Sequence, residues 1–267
     1  MQQPSVSLDN HHTARFDWRS RLRAAGIHLA LSALVALVAG LLVFAAWYPF
    51  PYRDISGGRE LFQLVVSVDV VLGPLITFAV YNLAKPRHEL RRDLMVVALL
   101  QLAGLAYGLW TVNLARPVHT VFEYDRFRVV HQVEIPPDLA QQVPPGIELA
   151  PWGGPTLLTL RPFRNADESA GLTMAALQGI PLAARPELWQ PYEAGRADVL
   201  KAAKPVAQLK SRFPQRAAEI DAAVRAGGGD PARAAYLPLM ARKADVWTVL
   251  LDAGTARVLG YVPLDSF

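Results

Sequence analysis

The chain reads as a membrane protein with three N-terminal transmembrane α-helices followed by an extracytoplasmic α+β domain. Three observations carry this reading. The 267 residues are 52% hydrophobic with a mean hydropathy of +0.19, too apolar for an ordinary water-soluble domain of this size. Apolar runs at about 24–48, 61–83 and 94–114 each reach the roughly 20 residues that cross a bilayer. Beyond residue 114 the pattern changes to short β-branched and aromatic stretches and alanine-rich pieces cut by proline.

Residues 1–14 are polar and aperiodic, and the tail 1–23 is expected in the cytoplasm, with His11 and His12 a solvated pair and no metal site. Arg15, Arg19, Arg21 and Arg23 precede the first run, which is longer than the roughly 7–15-residue core of a signal peptide and is expected to persist as an anchor. His28, near its cytoplasmic end, is expected as an interface residue. Trp47-Tyr48-Pro49-Phe50-Pro51-Tyr52 closes the span with aromatics suited to the membrane interface and prolines that stop the helix. Arg53 to Glu60, turning at Ser56-Gly57-Gly58, is expected to be a solvated loop.

The second run carries Asp69. An ionised side chain in hydrocarbon costs about 2.5 kcal/mol or more, so this carboxylate is expected to face helices or water and to find a partner. Gly73-Pro74 follows; Pro74 lacks an N–H and its ring crowds the preceding turn, so a kink is expected whose freed carbonyls need neighbours. The basic stretch Ala84–Asp93 reads as a loop. The third run holds Gln101 and the pair Gly104 and Gly108, whose spacing puts two hydrogens on one helical face where another backbone can come close. Asp69, Gly73, Pro74, Gln101, Gly104 and Gly108, with Ser67 and Thr77, form a polar and small-residue seam. Two readings stand: the seam holds the three helices together, or part of it receives the transmembrane helix of another protein.

Charge sets the orientation. Four arginines before the first span and four Lys/Arg between spans two and three face only Arg53 and Arg59 on the other side, so the N-terminus is expected in the cytoplasm and residues 115–267 outside it. The net charge of +4 needs no nucleic acid: residues 1–114 hold ten Lys/Arg against seven Asp/Glu, and 115–267 hold seventeen against sixteen. With no cysteine, disulfides and thiolate metal sites are excluded.

In the C-terminal part, Val118–Tyr124, Arg126–Ile135 and Thr156–Arg161 read as strands. A helical turn and loop begin at Pro136-Pro137, and a short extended piece lies between Pro144–Gly146 and Pro151–Pro155. Ala197–Ala203 and Pro214–Ala226 read as short helices, Gly227–Gly229 as a flexible turn, and Ala244–Leu251 with Ala256–Val262 as a terminal hairpin. Strands at both ends of this domain can pair only if the helical insert folds back on them.

No P-loop, HExxH, GxSxG elbow or dinucleotide-binding turn is present. His119 and His131 read as ordinary strand histidines, and Asp167-Glu168 as charges at a helix start. No catalytic residue, cofactor or metal is expected. A proton relay through Asp69 would need further ionisable groups along the spans, and only His28 is available.

Ile27-His28-Leu29 after arginines, Trp47-Tyr-Pro-Phe-Pro51, Gly57-Gly58, Val68-Asp-Val-Val-Leu-Gly-Pro-Leu75, Arg91-Arg-Asp-Leu94 and Ala106-Tyr-Gly-Leu109 stand together in one order. Ala115-Arg-Pro117, Val121–Val129, Tyr236-Leu-Pro-Leu239 and the terminal Trp247–Phe267 hairpin continue it. In these pieces the chain resembles the type IV pilin accessory protein family, the TfpX/TfpZ group of bacterial inner-membrane proteins. The likeness covers most of 15–135 and 236–267, and 136–235 matches only loosely. It implies a non-enzymatic, chaperone-like inner-membrane protein that assists type IV pilin stability or pilus assembly. Its implied partners are a major or minor pilin, other pilus machinery and membrane lipid. Two rival readings remain: a membrane-anchored periplasmic ligand-binding or sensor protein, and an envelope enzyme acting on a lipid-linked substrate with Asp69, Arg53, Asp54, Arg59 and Glu60 as site groups.

Overall fold

The computed structural model describes residues 17–241 and 246–267. The tail with His11 and His12, and the first two residues of the expected terminal hairpin, Ala244 and Asp245, lie outside the described residues.

Helix α1 spans Trp18–Leu42 and runs on through a π-helical turn, Val43–Trp47. A short α2 (Tyr52–Ile55) leads to α3 (Gly58–Val80) and α4 (Arg87–Leu114). Trp18–Trp47, Gly58–Val80 and Arg87–Leu114 are long and apolar enough to cross a membrane. All three begin before the apolar runs do, α1 at Trp18 instead of Ala24, α3 at Gly58 instead of Leu61 and α4 at Arg87 instead of Leu94. Arginine, lysine, glutamate and leucine are good helix formers, so leaving hydrocarbon does not end a helix. Most of the expected basic loop is therefore the first turns of α4. The true break is at Asn82, whose Oδ1 accepts from the Ala84 N–H at 3.0 Å. Pro74 lies inside α3, which is continuous from Gly58 to Val80.

By packing, the chain forms two compact units: Leu64–Tyr107 with the chain up to Val38, and Ala39–Gln63 with Gly108–Phe267. In the first, Arg21 on α1 donates to the Phe78 and Ala79 carbonyls in the last turn of α3, at 3.1 and 2.8 Å. A cation there meets both the orphan carbonyls and the negative end of the helix dipole. It also fixes α1 and α3 as antiparallel neighbours.

The second unit is built on one mixed sheet. Its strands are β1 (Pro117–Glu123), β2 (Arg126–His131), β3 (Thr156–Leu160), β4 (Trp189–Pro191), β5 (Lys204–Pro205), β6 (Ala234–Met240), β7 (Val246–Asp252) and β8 (Val258–Val262). The order is β4-β3-β1-β2-β6-β7-β8, with β5 on β6. Hairpins β1–β2, β6–β7 and β7–β8 are antiparallel, whereas β1–β3 and β2–β6 are parallel. The insert therefore folds back, as the two ends of the domain require: Phe127 pairs with Leu239 and Arg128 with Met240. Helices α5 (Ala166–Leu177), α6 (Arg196–Ala202), α7 (Val206–Arg212) and α8 (Ala217–Ala226) lie in this insert.

Both faces of the sheet are buried. Leu237 and Leu239 of β6 pack with Phe127 and Leu251, while Tyr236 packs with α7 and α8 through Leu209, Ile220 and Val224. Burial on both sides explains why β1 and β6 are almost continuously buried. β2 ends at His131, and 132–134 form a 3-10 turn in place of the strand expected to continue to Ile135. The extended piece expected between the two proline clusters joins no strand. β6 escaped the sequence reading because of Pro238, which has no N–H for a ladder. Its edge opposite β7 pairs with β5 at Ala235 and Tyr236 and with β2 at Leu239 and Met240, and Pro238 falls in the gap.

The connection from α1 to α3 is the largest difference from expectation. Tyr48 is fully buried, with its hydroxyl donating to the Val112 carbonyl at 3.1 Å. Tyr52 and Ile55 belong to the same apolar cluster as Phe122, Phe127 and Leu237, and the Tyr52 hydroxyl bonds Thr120 Oγ1 at 2.7 Å. Tyr48, Tyr52 and Ile55 are therefore core of the second unit, while Arg59 and Glu60 are exposed as the solvated-loop reading expects, and only Phe50 of the large aromatics here is exposed. A Cβ at Gly58 would overlap the Tyr48 ring. From α4 the chain enters β1 through buried Arg116, which donates to the Asn113 and Ala150 carbonyls at 3.1 Å each and to the Gln132 side chain.

Candidate functional site

Within the first unit, side chains of α1, α3 and α4 line a cavity of about 770 Å³. Its walls are largely aliphatic, and its polar members include His28, Asp69, Thr77 and Gln101. Each arrives by helical spacing. Asp69 and Thr77 are two turns apart on α3, with Gly73 midway between them.

Gln101 Nε2 donates to the main-chain carbonyl of Asp69 at 3.0 Å. That carbonyl is one residue before Val70, the acceptor that Pro74 leaves without its helical donor. The amide reaches it across Gly73, which is buried and where an added Cβ would overlap the Gln101 amide group. Gly104 lies on the same side: Asp69 Oδ1 is 3.8 Å from where its Cβ would stand. Asp69, Gly73, Gln101 and Gly104 are thus brought into one contact region, with Pro74 adjoining. Gly108 is buried in α4 and belongs to the other compact unit.

The Asp69 side chain is half-buried, and among the described residues no donor reaches its carboxylate. The sequence predicts a carboxylate that faces helices or water and finds a partner, and the described residues supply no such donor. Ser67 is not part of this region, since it is exposed and bonds back to the Leu64 carbonyl of its own helix at 2.9 Å. Thr77 pairs instead with His28, Nδ1 to Oγ1 at 2.5 Å. His28 therefore lines the cavity, a role hidden in the sequence because the helix begins six residues before the apolar run. The only available signal was its polar interruption of that run.

In the second unit the candidate polar groups are structural. His119 is fully buried, with Thr156 Oγ1 at 2.7 Å from Nδ1, the Leu149 carbonyl at 3.2 Å from Nε2, and Trp189 edge-on at 4.5 Å. Burial brings its imidazole down to about 4. His131 Nδ1 contacts Glu134 at 3.0 Å, so the two histidines have separate partners. Glu168 is gripped by Arg161 at 2.7 Å, which holds its carboxyl at about 2. Asn165 caps α5 by accepting from the Glu168 N–H at 2.8 Å. Asp54 pairs with Arg59 at 2.8 Å and Arg53 at 3.6 Å, which satisfies the loop carboxylate that an envelope enzyme would use.

Gly227–Gly229, expected as a flexible turn, is held closely against β8. A Cβ at Gly227 would overlap the Leu259 carbonyl of β8, and Gly228 has φ +72°. Arg257 Nη1 donates to the Gly227 carbonyl at 2.9 Å, which holds the turn against this edge strand. Among the described residues no group of three or more His, Asp or Glu could hold a metal ion.

The fold and the cavity define a class: a three-span membrane protein with an α+β C-terminal domain. The family profile described as Fimbrial assembly protein FimB matches residues 16–57. The chain is 35% identical to the fimbrial assembly protein of serogroup E1 of Dichelobacter nodosus, over 92% of this chain and 95% of that protein. It is 36% identical to the serogroup I protein of the same organism with the same coverage. A shorter relative, for serogroups C1 and C2, is 41% identical over 42% of this chain and 86% of its own length. No solved structure matches the chain significantly. The chain belongs to the fimbrial assembly protein family, a type IV pilus assembly group.

Proposed function

We propose that this protein is a non-enzymatic helper of pilus assembly, which holds a type IV pilin in the bacterial inner membrane through the cavity between its three spans. The observation that carries the reading is the Asp69 carboxylate, which lines that cavity with no donor from the described residues. A carboxylate left unmatched in hydrocarbon is costly, and a donor brought by a second transmembrane helix would relieve that cost. Only 11%, 11% and 17% of the spans' apolar windows are buried, so their own packing leaves ample surface for another helix. Asp69, Gly73, Pro74, Gln101 and Gly104 would shape this contact, with Gly108 extending the small-residue face of α4.

In this proposal the tail 1–23 is cytoplasmic, 24–114 is the membrane region, and 115–267 is a periplasmic domain. The positive-inside asymmetry supports that orientation. The helical insert within 136–235 would touch the pilin head, and Met174 and Leu177 of α5, exposed at 56% and 78%, are its large apolar candidates. The Asp69→Leu variant tests the reading: pilin co-purification falls while the C-terminal domain keeps its protease resistance. Unchanged pilin recovery together with unchanged pili would defeat it.

A further inference from the structure

We infer that the Pro151–Pro155 loop is a second membrane contact, which seats Trp152 among phospholipid headgroups beside the end of the first span. Trp152 is 60% exposed, yet its ring packs edge-on against Trp47 at 5.3 Å and 87°. Trp47 is the last residue of the span Trp18–Trp47. The loop backbone lies close to that helix end. Gly154 has φ +100°, and a Cβ there would stand 3.1 Å from the Ala46 carbonyl and 3.3 Å from the Pro49 ring. Any side chain would push the loop away.

The neighbouring surface has the same chemistry. Phe50, next to Pro49, is 54% exposed, and the Arg53 guanidinium lies 5.7 Å from its ring centroid. Trp110, near the end of α4, is 56% exposed. Large exposed aromatics at the end of a span, with a guanidinium alongside, match the headgroup layer, where an indole keeps its ring in an apolar setting and its N–H near water. Arginine suits lipid phosphate through its planar fork of donors. Continuity with the end of the span favours lipid over a protein partner as the occupant, and the loop would hold the C-terminal domain at a fixed height on the bilayer.

The chain contains no cysteine, and Gly153 has nothing within 4 Å of an added Cβ. A single Gly153→Cys therefore takes a nitroxide in the full-length protein, reconstituted in phosphatidylethanolamine and phosphatidylglycerol vesicles. The expected result is a label that collides with lipid-soluble oxygen more, and with a water-soluble nickel chelate less, than free label in the same suspension. A label that meets the chelate as freely as in water overturns the inference, as does one shielded from both quenchers by protein. Independently, lipids brominated near the headgroup should quench tryptophan emission, and Trp152→Phe should remove part of the quenchable signal. An unchanged quenchable fraction would equally overturn it.

Discussion

Gly73→Ala offers a test whose sign depends on one neighbour. In a helix interior, alanine is favoured over glycine by about 0.5–1 kcal/mol. Here the three nearest atoms to the new Cβ all belong to the Gln101 side-chain amide, which must swing away. The loss of its bond to the Asp69 carbonyl costs about 0.6–1.5 kcal/mol. Stranding the amide in apolar surroundings costs about 1–3 kcal/mol more. The net effect in the native background is a destabilisation of about 1–4 kcal/mol. In a Gln101→Ala background the obstacle is gone, and the same substitution should stabilise by about 0.5–1 kcal/mol. The four proteins are compared by reversible unfolding in mixed micelles with increasing SDS, followed by circular dichroism. A coupling energy of about 2–4 kcal/mol is expected. If Gly73→Ala destabilises equally in both backgrounds, Gln101 does not cross Gly73 and the described contact is wrong.

Other consequences concern the second unit. Tyr52→Phe removes the partner of fully buried Thr120, which should cost about 1–3 kcal/mol and lower the melting temperature by about 2–4 °C per kcal/mol; an unaltered melt would show that the α2 connection is not core. The His119 imidazole titrates near 4 when folded and near 6.5 when unfolded, so the unfolded chain binds more protons between these values. Stability present above about pH 6.5 should therefore be lost as pH falls toward 4, by up to about 3 kcal/mol, and His119→Gln should flatten that part of a denaturation-versus-pH curve. Gly227→Ala must push the turn off the Leu259 backbone and should speed amide exchange along β8. Equal exchange in the two proteins would mean the glycine run is a flexible turn after all.

Much of the membrane architecture was legible because length and apolarity suffice to mark a span, and the terminal hairpin because Asp252-Ala-Gly-Thr255 is a strong turn. Its Asp252 Oδ1 accepts from the Gly254 and Thr255 N–H groups at 3.0 and 2.9 Å. Tyr48 and Tyr52 misled for a physical reason: aromatics beside prolines suit a membrane interface and a protein core equally, and only long-range packing against Val112 and Thr120 tells them apart. Basic helix ends resemble loops when apolarity is the guide, which cost the first turns of α1 and α4. At the candidate site, the four-residue spacing of Asp69 and Gly73 placed both on one face of α3. The pairing of Thr77 with His28 and the turning of Ser67 onto its own helix depend on how α1 and α3 face each other, which one-dimensional periodicity does not encode.

The central claim is that the cavity between the spans receives a pilin helix. A photo-crosslinking amino acid placed in cells at the cavity-lining positions Leu31, Val35 and Ala98, and at Leu34, Leu37 and Leu100, exposed on the spans but outside the cavity lining, tests it directly. The account predicts pilin adducts from the first set, reduced by Asp69→Leu, and lipid or no adducts from the second. Pilin captured equally from both sets, or only from the second, would contradict it.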